Sequence, residues 1–165
     1  MRTTSFLTAA VVAAATLAAC SKNAPETAPA PAAAPNPDSV AKARAARAEF
    51  AYAVYFDFDK SALTDSAKKV LDRKIQIMNA NPGVGIQIEG NTDERGSAEY
   101  NLALGQQRAA SVKRYLTQHG IADSRITILS NGEEKPADQG HDETAWSHNR
   151  RAEFVITVGD LAPTP

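Results

Sequence analysis

The stretch from Val84 to Leu116 constrains the fold more than any other part of the chain. Val84-Gly85-Ile86-Gln87-Ile88-Glu89-Gly90 alternates from one side to the other, the period of a strand with one polar face. After the loop Gly90 to Gly96, the residues Ala98, Leu102, Gly105, Ala109, Val112 and Leu116 recur at i, i+4, i+7, i+11, i+14 and i+18, the stripe of a long helix facing a sheet. Strand, loop and helix therefore follow one another directly, and the rest of the chain repeats the plan. Val54 to Phe58 reads as a buried strand. Thr64 or Asp65 caps a helix through Ala67, Leu71, Ile75 and Met78, which Asn81-Pro82-Gly83 ends. Gly120 closes the long helix as a C-cap would. Arg125 to Ser130 alternates around Ile126 and Ile128, Asn131-Gly132 turns, Asp142 to Arg150 can form a short helix, and Ala152, Phe154, Ile156 and Val158 alternate again. Helices of this length act as crossovers, so part of the sheet must be parallel and covered by helices on one face. The expected fold is α+β: a two-layer sandwich, β-α-β-α-β-(α)-β, with a mixed four-stranded sheet.

The N-terminal third has a different character. Arg2, an apolar run from Phe6 to Leu17 and small residues before Cys20 read as a targeting segment over residues 1–19, too short to stay as a membrane span. Leu17-Ala18-Ala19-Cys20 is similar to the lipobox of bacterial lipoproteins, in which the cysteine is acylated and becomes the first mature residue. Cys20 is the only cysteine of the chain, so no disulfide competes for it. Ser21 follows it, and by the rules of that class Ser at this position sends a lipoprotein to the outer membrane. From Ser21 the sequence is largely Ala and Pro, a composition that cannot bury a core. With Val40 to Ala48 included, though rich in Ala and Arg and able to be helical, residues 20–48 form an anchor and linker. Extended at about 3.1 Å per residue, they would reach on the order of 90 Å. The domain proper is expected over residues 49–160, with a disordered tail over 161–165. From Glu49 onward there are 17 Asp and Glu against 13 Lys and Arg, an acidic balance that disfavours nucleic acid.

Several enzyme patterns are incomplete. Asp57-Phe58-Asp59-Lys60-Ser61 is similar to the nucleophile loop of haloacid-dehalogenase phosphatases, with Asp57 and Asp59 as the acting pair, but Ser61 stands where Thr or Val is wanted and no later acidic cluster is available for a magnesium ion. His119, His141 and His148 lack the spacing of a zinc site, and no Gly-x-Ser-x-Gly elbow supports a triad. Asp93-Glu94 and Glu133-Glu134 are paired carboxylates by composition only. The expectation is a binding module with no cofactor, no metal and no catalytic residues.

One constellation stands apart. Gly90-Asn91-Thr92-Asp93-Glu94-Arg95-Gly96 feeds the long helix, and on that helix Asn101, Leu104, Arg108 and Tyr115 lie about 60° to 120° round from the core stripe. Arg108 is thus expected beside the core, sharing a groove with Asp93. The two are read either as a structural salt bridge, with Arg95 as the alternative partner, or as a carboxylate and a guanidinium presented to a ligand.

Tyr55-Phe56-Asp57-Phe58-Asp59-Lys60-Ser61, Gly90-x-Thr92-Asp93-Glu94-Arg95-Gly96, Tyr100-Asn101-x-x-Leu104-Gly105-x-x-Arg108-Ala109 and Asn149-Arg150-Arg151, in this order, resemble the OmpA-like C-terminal domain family, and within it the peptidoglycan-associated lipoproteins. The resemblance covers about residues 50 to 158. It implies non-covalent binding of peptidoglycan through the meso-diaminopimelate of the peptide stem, with Asp93 and Arg108 as the chief contacts and Phe56, Asp57, Leu104 and Asn101 completing the pocket. A carboxylate and a bidentate guanidinium suit the ammonium and carboxylates of diaminopimelate. It further implies lipid attachment at Cys20 in the outer membrane, a domain facing the periplasm, and the Tol proteins as partners, TolB contacting the same face in competition with the wall. Asn149-Arg150-Arg151 reads as a second polar contact or as a junction neutralising nearby acids, with Arg151 facing outward. The family often carries His where Asn91 stands, so no imidazole role is carried over to that position.

Overall fold

The computed structural model of the chain describes residues 37–161. The targeting segment, Cys20, the Ala/Pro-rich stretch up to residue 36 and residues 162–165 lie outside the described residues. Four strands form one sheet in the order β1-β4-β2-β3, built from β1 (Val54–Tyr55), β2 (Gly85–Asn91), β3 (Ile126–Gly132) and β4 (Arg151–Val158). β2 and β3 run parallel, while β4 lies antiparallel to both β1 and β2. This is the mixed α+β sandwich that the pattern implies. The expected first strand is shorter than its apolar run, because only Val54 and Tyr55 pair with Arg151 and Ala152. Beyond them the chain turns, with Asp59 at φ 55°, in the left-handed region that Asp tolerates better than most residues.

The helices among the described residues are α1 (Pro37–Ala51), α2 (Asp65–Ala80), α3 (Ala98–Gln118) and α4 (Glu143–Asn149), with a 3₁₀ turn at Asp123–Arg125. Each of the last three α-helices starts on a side-chain cap: Thr64 accepts from the Ala67 amide at 3.2 Å, Ser97 from Tyr100 at 3.2 Å and Asp142 from Ala145 at 2.9 Å. Each such cap stabilises its helix by about 1 kcal/mol. Leu71, Ile75 and Met78 of α2 and Ala109, Val112 and Leu116 of α3 are packed on the sheet face that carries Ile86, Ile88, Ala152 and Phe154. The N-terminal half of α3 departs from the expected stripe. Leu102 is 52% exposed, and the buried positions there are Asn101, Leu104, Gly105 and Arg108. The helix lies so close to β2 that a Cβ on Gly90 would fall 1.9 Å from the Gly105 carbonyl oxygen. Gly105 has no side chain to bury, so the contact is made by backbone and the flank beside it is pulled inward.

Residues expected in the linker belong to α1, which packs Ala46 and Phe50 against the domain. Phe50 meets Phe154 edge-on with ring centroids 5.9 Å apart, Arg73 pairs with Glu49 at 2.8 Å, and Arg47 bonds Asp160. Leu161, expected in the tail, is buried in the same core. The ammonium of Lys74, 1% exposed, donates to the Phe50 carbonyl and lies 4.1 Å from the Phe154 ring centroid and 4.9 Å from that of Phe50. Burial lowers its pKa to about 7, opposed in part by Glu49. An unfolded chain keeps this proton up to about pH 10.4, whereas the folded one releases it near 7. Stability is therefore expected to rise between about pH 7 and pH 10 and to gain nothing from this group below 7. Lys74→Met should remove that slope and raise stability at pH 6 by about 1–3 kcal/mol. Urea unfolding at pH 6, 7.5 and 9 checks both.

Candidate functional site

The loop between β2 and α3 forms one wall of a pocket of about 250 Å³, and the first turns of α3 with the turn after β1 form the others. Asp93, Asn101, Leu104 and Arg108 come together there, joined by Thr92, Arg95, Gly96, Tyr100, Phe58 and Asp59. Phe56 and Asp57 do not line it. Phe56 is buried with its ring beneath the Arg108 guanidinium, 5.2 Å from the centroid to Cζ. The Asp57 carboxylate turns out to Lys60 at 3.2 Å. The place that the family resemblance implies for Phe56 and Asp57 is taken by Phe58 and Asp59, because the strand ends early and the turn swings the next two residues over the pocket.

Arg108 is fully buried, not beside the core. Its Nε donates to the Lys60 carbonyl at 2.9 Å, Nη1 to Asn91 at 2.8 Å and Nη2 to Asp57 at 3.3 Å. One guanidinium thus ties the turn after β1 to the end of β2. Three of its five N–H groups are used, leaving two. Burial lowers its pKa to about 10, so it remains charged at neutral pH.

Asp93 and Arg108 make no direct hydrogen bond. Asp93 Oδ1 accepts from the Arg95 amide at 3.1 Å and from its Nε at 3.2 Å, and Oδ2 accepts from Arg95 Nη2 at 2.8 Å and from Arg150 Nη1 at 3.3 Å. Burial opposes ionisation, but the hydrogen bonds from Arg95 and Arg150 outweigh it and hold the carboxyl below the ordinary aspartate range. Arg95 itself lies between two rings, its Cζ 4.0 Å from the centroid of Phe58 and 4.2 Å from that of Trp146. Arg150, within the Asn149-Arg150-Arg151 motif that reads as a second polar contact or a junction neutralising nearby acids, is the other partner of Asp93, and it also reaches Glu143 at 2.7 Å and the Phe56 carbonyl at 3.2 Å. Arg151, expected to face outward, is buried and bonds Glu153, the Asn149 carbonyl and the Lys135 carbonyl.

Two polar atoms at the pocket have no hydrogen-bond partner among the described residues: Thr92 Oγ1 and Asn101 Oδ1, both buried. Asn101 Nδ2 donates to Glu133 at 2.5 Å, which fixes the amide so that its oxygen faces the other way. Asn91, also buried, donates to the Glu89 carbonyl and accepts from Asn131, holding β2 to β3 rather than lining the pocket. The histidines are exposed: His119 stacks on Tyr115, His141 bonds Glu94, and His148 lies 3.5 Å from Asp138. Among the described residues no group of three or more His, Cys, Asp or Glu is placed to hold a metal ion.

A model of the OmpA family matches residues 55–150, which include every residue that lines this pocket. The chain belongs to the OmpA family. Its relatives include the peptidoglycan-associated lipoprotein of Haemophilus influenzae, 52% identical over 99 residues, which are 60% of this chain and 65% of the relative. That of Pasteurella multocida is 50% identical over 99 residues, 60% of this chain and 66% of the relative. The match thus spans just under two thirds of the length of these relatives. Among solved structures, the peptidoglycan-associated lipoprotein of Burkholderia pseudomallei is 47% identical, covers 64% of this chain and 89% of its own, and superposes with a TM-score of 0.62. The C-terminal domain of Helicobacter pylori MotB shares the OmpA-type fold at 21% identity, covering 66% of this chain and 85% of its own, with a TM-score of 0.61.

Proposed function

We propose that this chain is an envelope lipoprotein whose domain grips peptidoglycan without covalent attachment, through the meso-diaminopimelate of the peptide stem, and so ties the outer membrane to the wall. The observation that carries the reading is the pocket itself, where a buried guanidinium and an ionised carboxylate stand beside two unpartnered polar atoms. A zwitterion carrying an ammonium and a carboxylate at one end suits such a pair. In this reading Arg108 gives its two remaining N–H groups to the ligand carboxylate, Asp93 takes the ammonium, and Asn101 Oδ1 accepts a further N–H. Leu104 packs against the ligand's methylenes, and Phe56 and Asp57 act from behind by holding Arg108. The names of the relatives support the wall as the target. The lipid on Cys20, residence in the outer membrane and the Tol proteins as partners, TolB among them, rest on motif resemblance, and a tether over residues 20–36 rests on their Ala/Pro composition.

Purified sacculi sedimented with the lipid-free chain test the site. Wild type should be retained, and Asp93→Asn should be released by at least about tenfold, the loss of a charge-assisted hydrogen bond, while circular dichroism reports an intact fold. Unchanged retention of Asp93→Asn would refute the assignment.

A further inference from the structure

We propose that Arg95 is an internal stand-in for the ligand's cation, a plug that must leave Asp93 before the pocket can be filled. The inference rests on the wall-binding reading and adds its regulation. A carboxylate offers about four lone-pair sites, and all four of Asp93 are occupied by its own chain: three by Arg95 and one by Arg150. An incoming ammonium therefore has no free position on Asp93 unless a neighbour yields. Arg150 is unsuited to yield, being 7% exposed at its side chain and tied to the Phe56 carbonyl and Glu143 as well. Arg95 is 31% exposed at its side chain and anchored by nothing buried except Asp93. Its remaining contacts are the faces of Phe58 and Trp146 and the exposed carboxylate of Glu143. Those rings give the guanidinium a defined resting place.

Selectivity follows from the competition. A stem residue with an ammonium alone only exchanges one cation for another at Asp93. A stem residue that also carries a carboxylate gains the N–H groups of Arg108, and that second contact offsets the displacement. The plug thus converts a general cation site into one that answers to a zwitterion.

Trp146 is the only tryptophan of the chain and touches the plug, so its emission reports the displacement. Calorimetric titration of the whole lipid-free chain with the tripeptide L-Ala-D-Glu-meso-diaminopimelate should find Arg95→Gln binding about tenfold tighter than wild type, with Arg95→Lys in between, since a self-occupied site loses affinity by its occupied fraction. Saturation should shift Trp146 emission in wild type and leave it nearly unmoved in Arg95→Gln. Binding by Arg95→Gln alone would support the plug in its strongest form. Equal or weaker binding by Arg95→Gln, or a wild-type emission that stays fixed at saturation, overturns the plug and leaves the wall-binding reading intact. No binding by either protein overturns both.

Discussion

Gly90→Ala is expected to destabilise the domain by about 3 kcal/mol or more, lowering its melting temperature by roughly 10 °C. The added methyl would sit 1.9 Å from the carbonyl oxygen and 2.7 Å from the carbonyl carbon of Gly105. Neither atom belongs to a side chain that can rotate away, so α3 must lift from β2 along its N-terminal half. That half carries Asn101, Leu104 and Arg108, and the pocket should open with it. Gly105→Ala should cost less. Its Cβ would meet Ser130 Oγ at 2.3 Å and the Gly90 carbonyl oxygen at 2.7 Å, but alanine returns about 1 kcal/mol of helix propensity. Gly83→Ala is the control, with nothing within 4 Å of the new methyl and no expected effect beyond a few tenths of a kcal/mol. Thermal melts of the three variants followed by circular dichroism give the ranking, and equal melting of Gly90→Ala and Gly83→Ala would contradict the close-contact account.

Arg108→Ala should cost about 3–5 kcal/mol in stability before any ligand is considered. It takes a side-chain donor from the carbonyls of Lys60 and Asn91 and leaves that of Asp57 with the Lys60 amide alone, at 3.2 Å, a loss of about 1–3 kcal/mol for each that stays buried and unpaired. Part is recovered where the turn after β1 loosens and water enters. Arg108→Lys should restore little, because one ammonium on a flexible stem cannot reach three carbonyls that a planar fork spans. Urea unfolding measures the loss, and an Arg108→Ala midpoint within error of wild type would show that the three bonds contribute nothing. The practical meaning is that loss of wall binding in an Arg108 variant mixes misfolding with the loss of a ligand contact, whereas substitutions at Asp93 and Arg95 separate them.

The architecture is legible because β2 and the C-terminal half of α3 keep their periods, and period is what sequence displays. The strand β1 was overread for the same reason: Val54 to Phe58 is continuously apolar or aromatic except for Asp57, yet β4 pairs with only two of its residues. Helical phase alone placed Arg108 and Asn101 on a flank. It could not register that two glycines, Gly90 and Gly105, let the helix settle until that flank was inside. The burial of α1 was hidden too, since an Ala- and Arg-rich stretch shows no apolar stripe and docks through Ala46 and Phe50 alone among its buried residues. At the pocket, helical phase and motif order bring Asp93, Asn101, Leu104 and Arg108 together and spacing offers Arg95, two residues on, as a partner for Asp93, but the contact of Asp93 with Arg150 joins residues 57 positions apart, which no local spacing displays.

The position of β4 has a consequence for when this domain can exist at all. The strand that comes last in chain order is the one between β1 and β2, and it is the only partner β1 has. Until residues 151–158 are present, the first strand has nothing to pair with, and Phe50, Val54 and Ile88 lack the apolar face that Ala152 and Phe154 supply. Contacts so distant in sequence form late and slowly. A chain emerging N-terminus first would then stay open until that strand arrived, with the topology itself delaying closure.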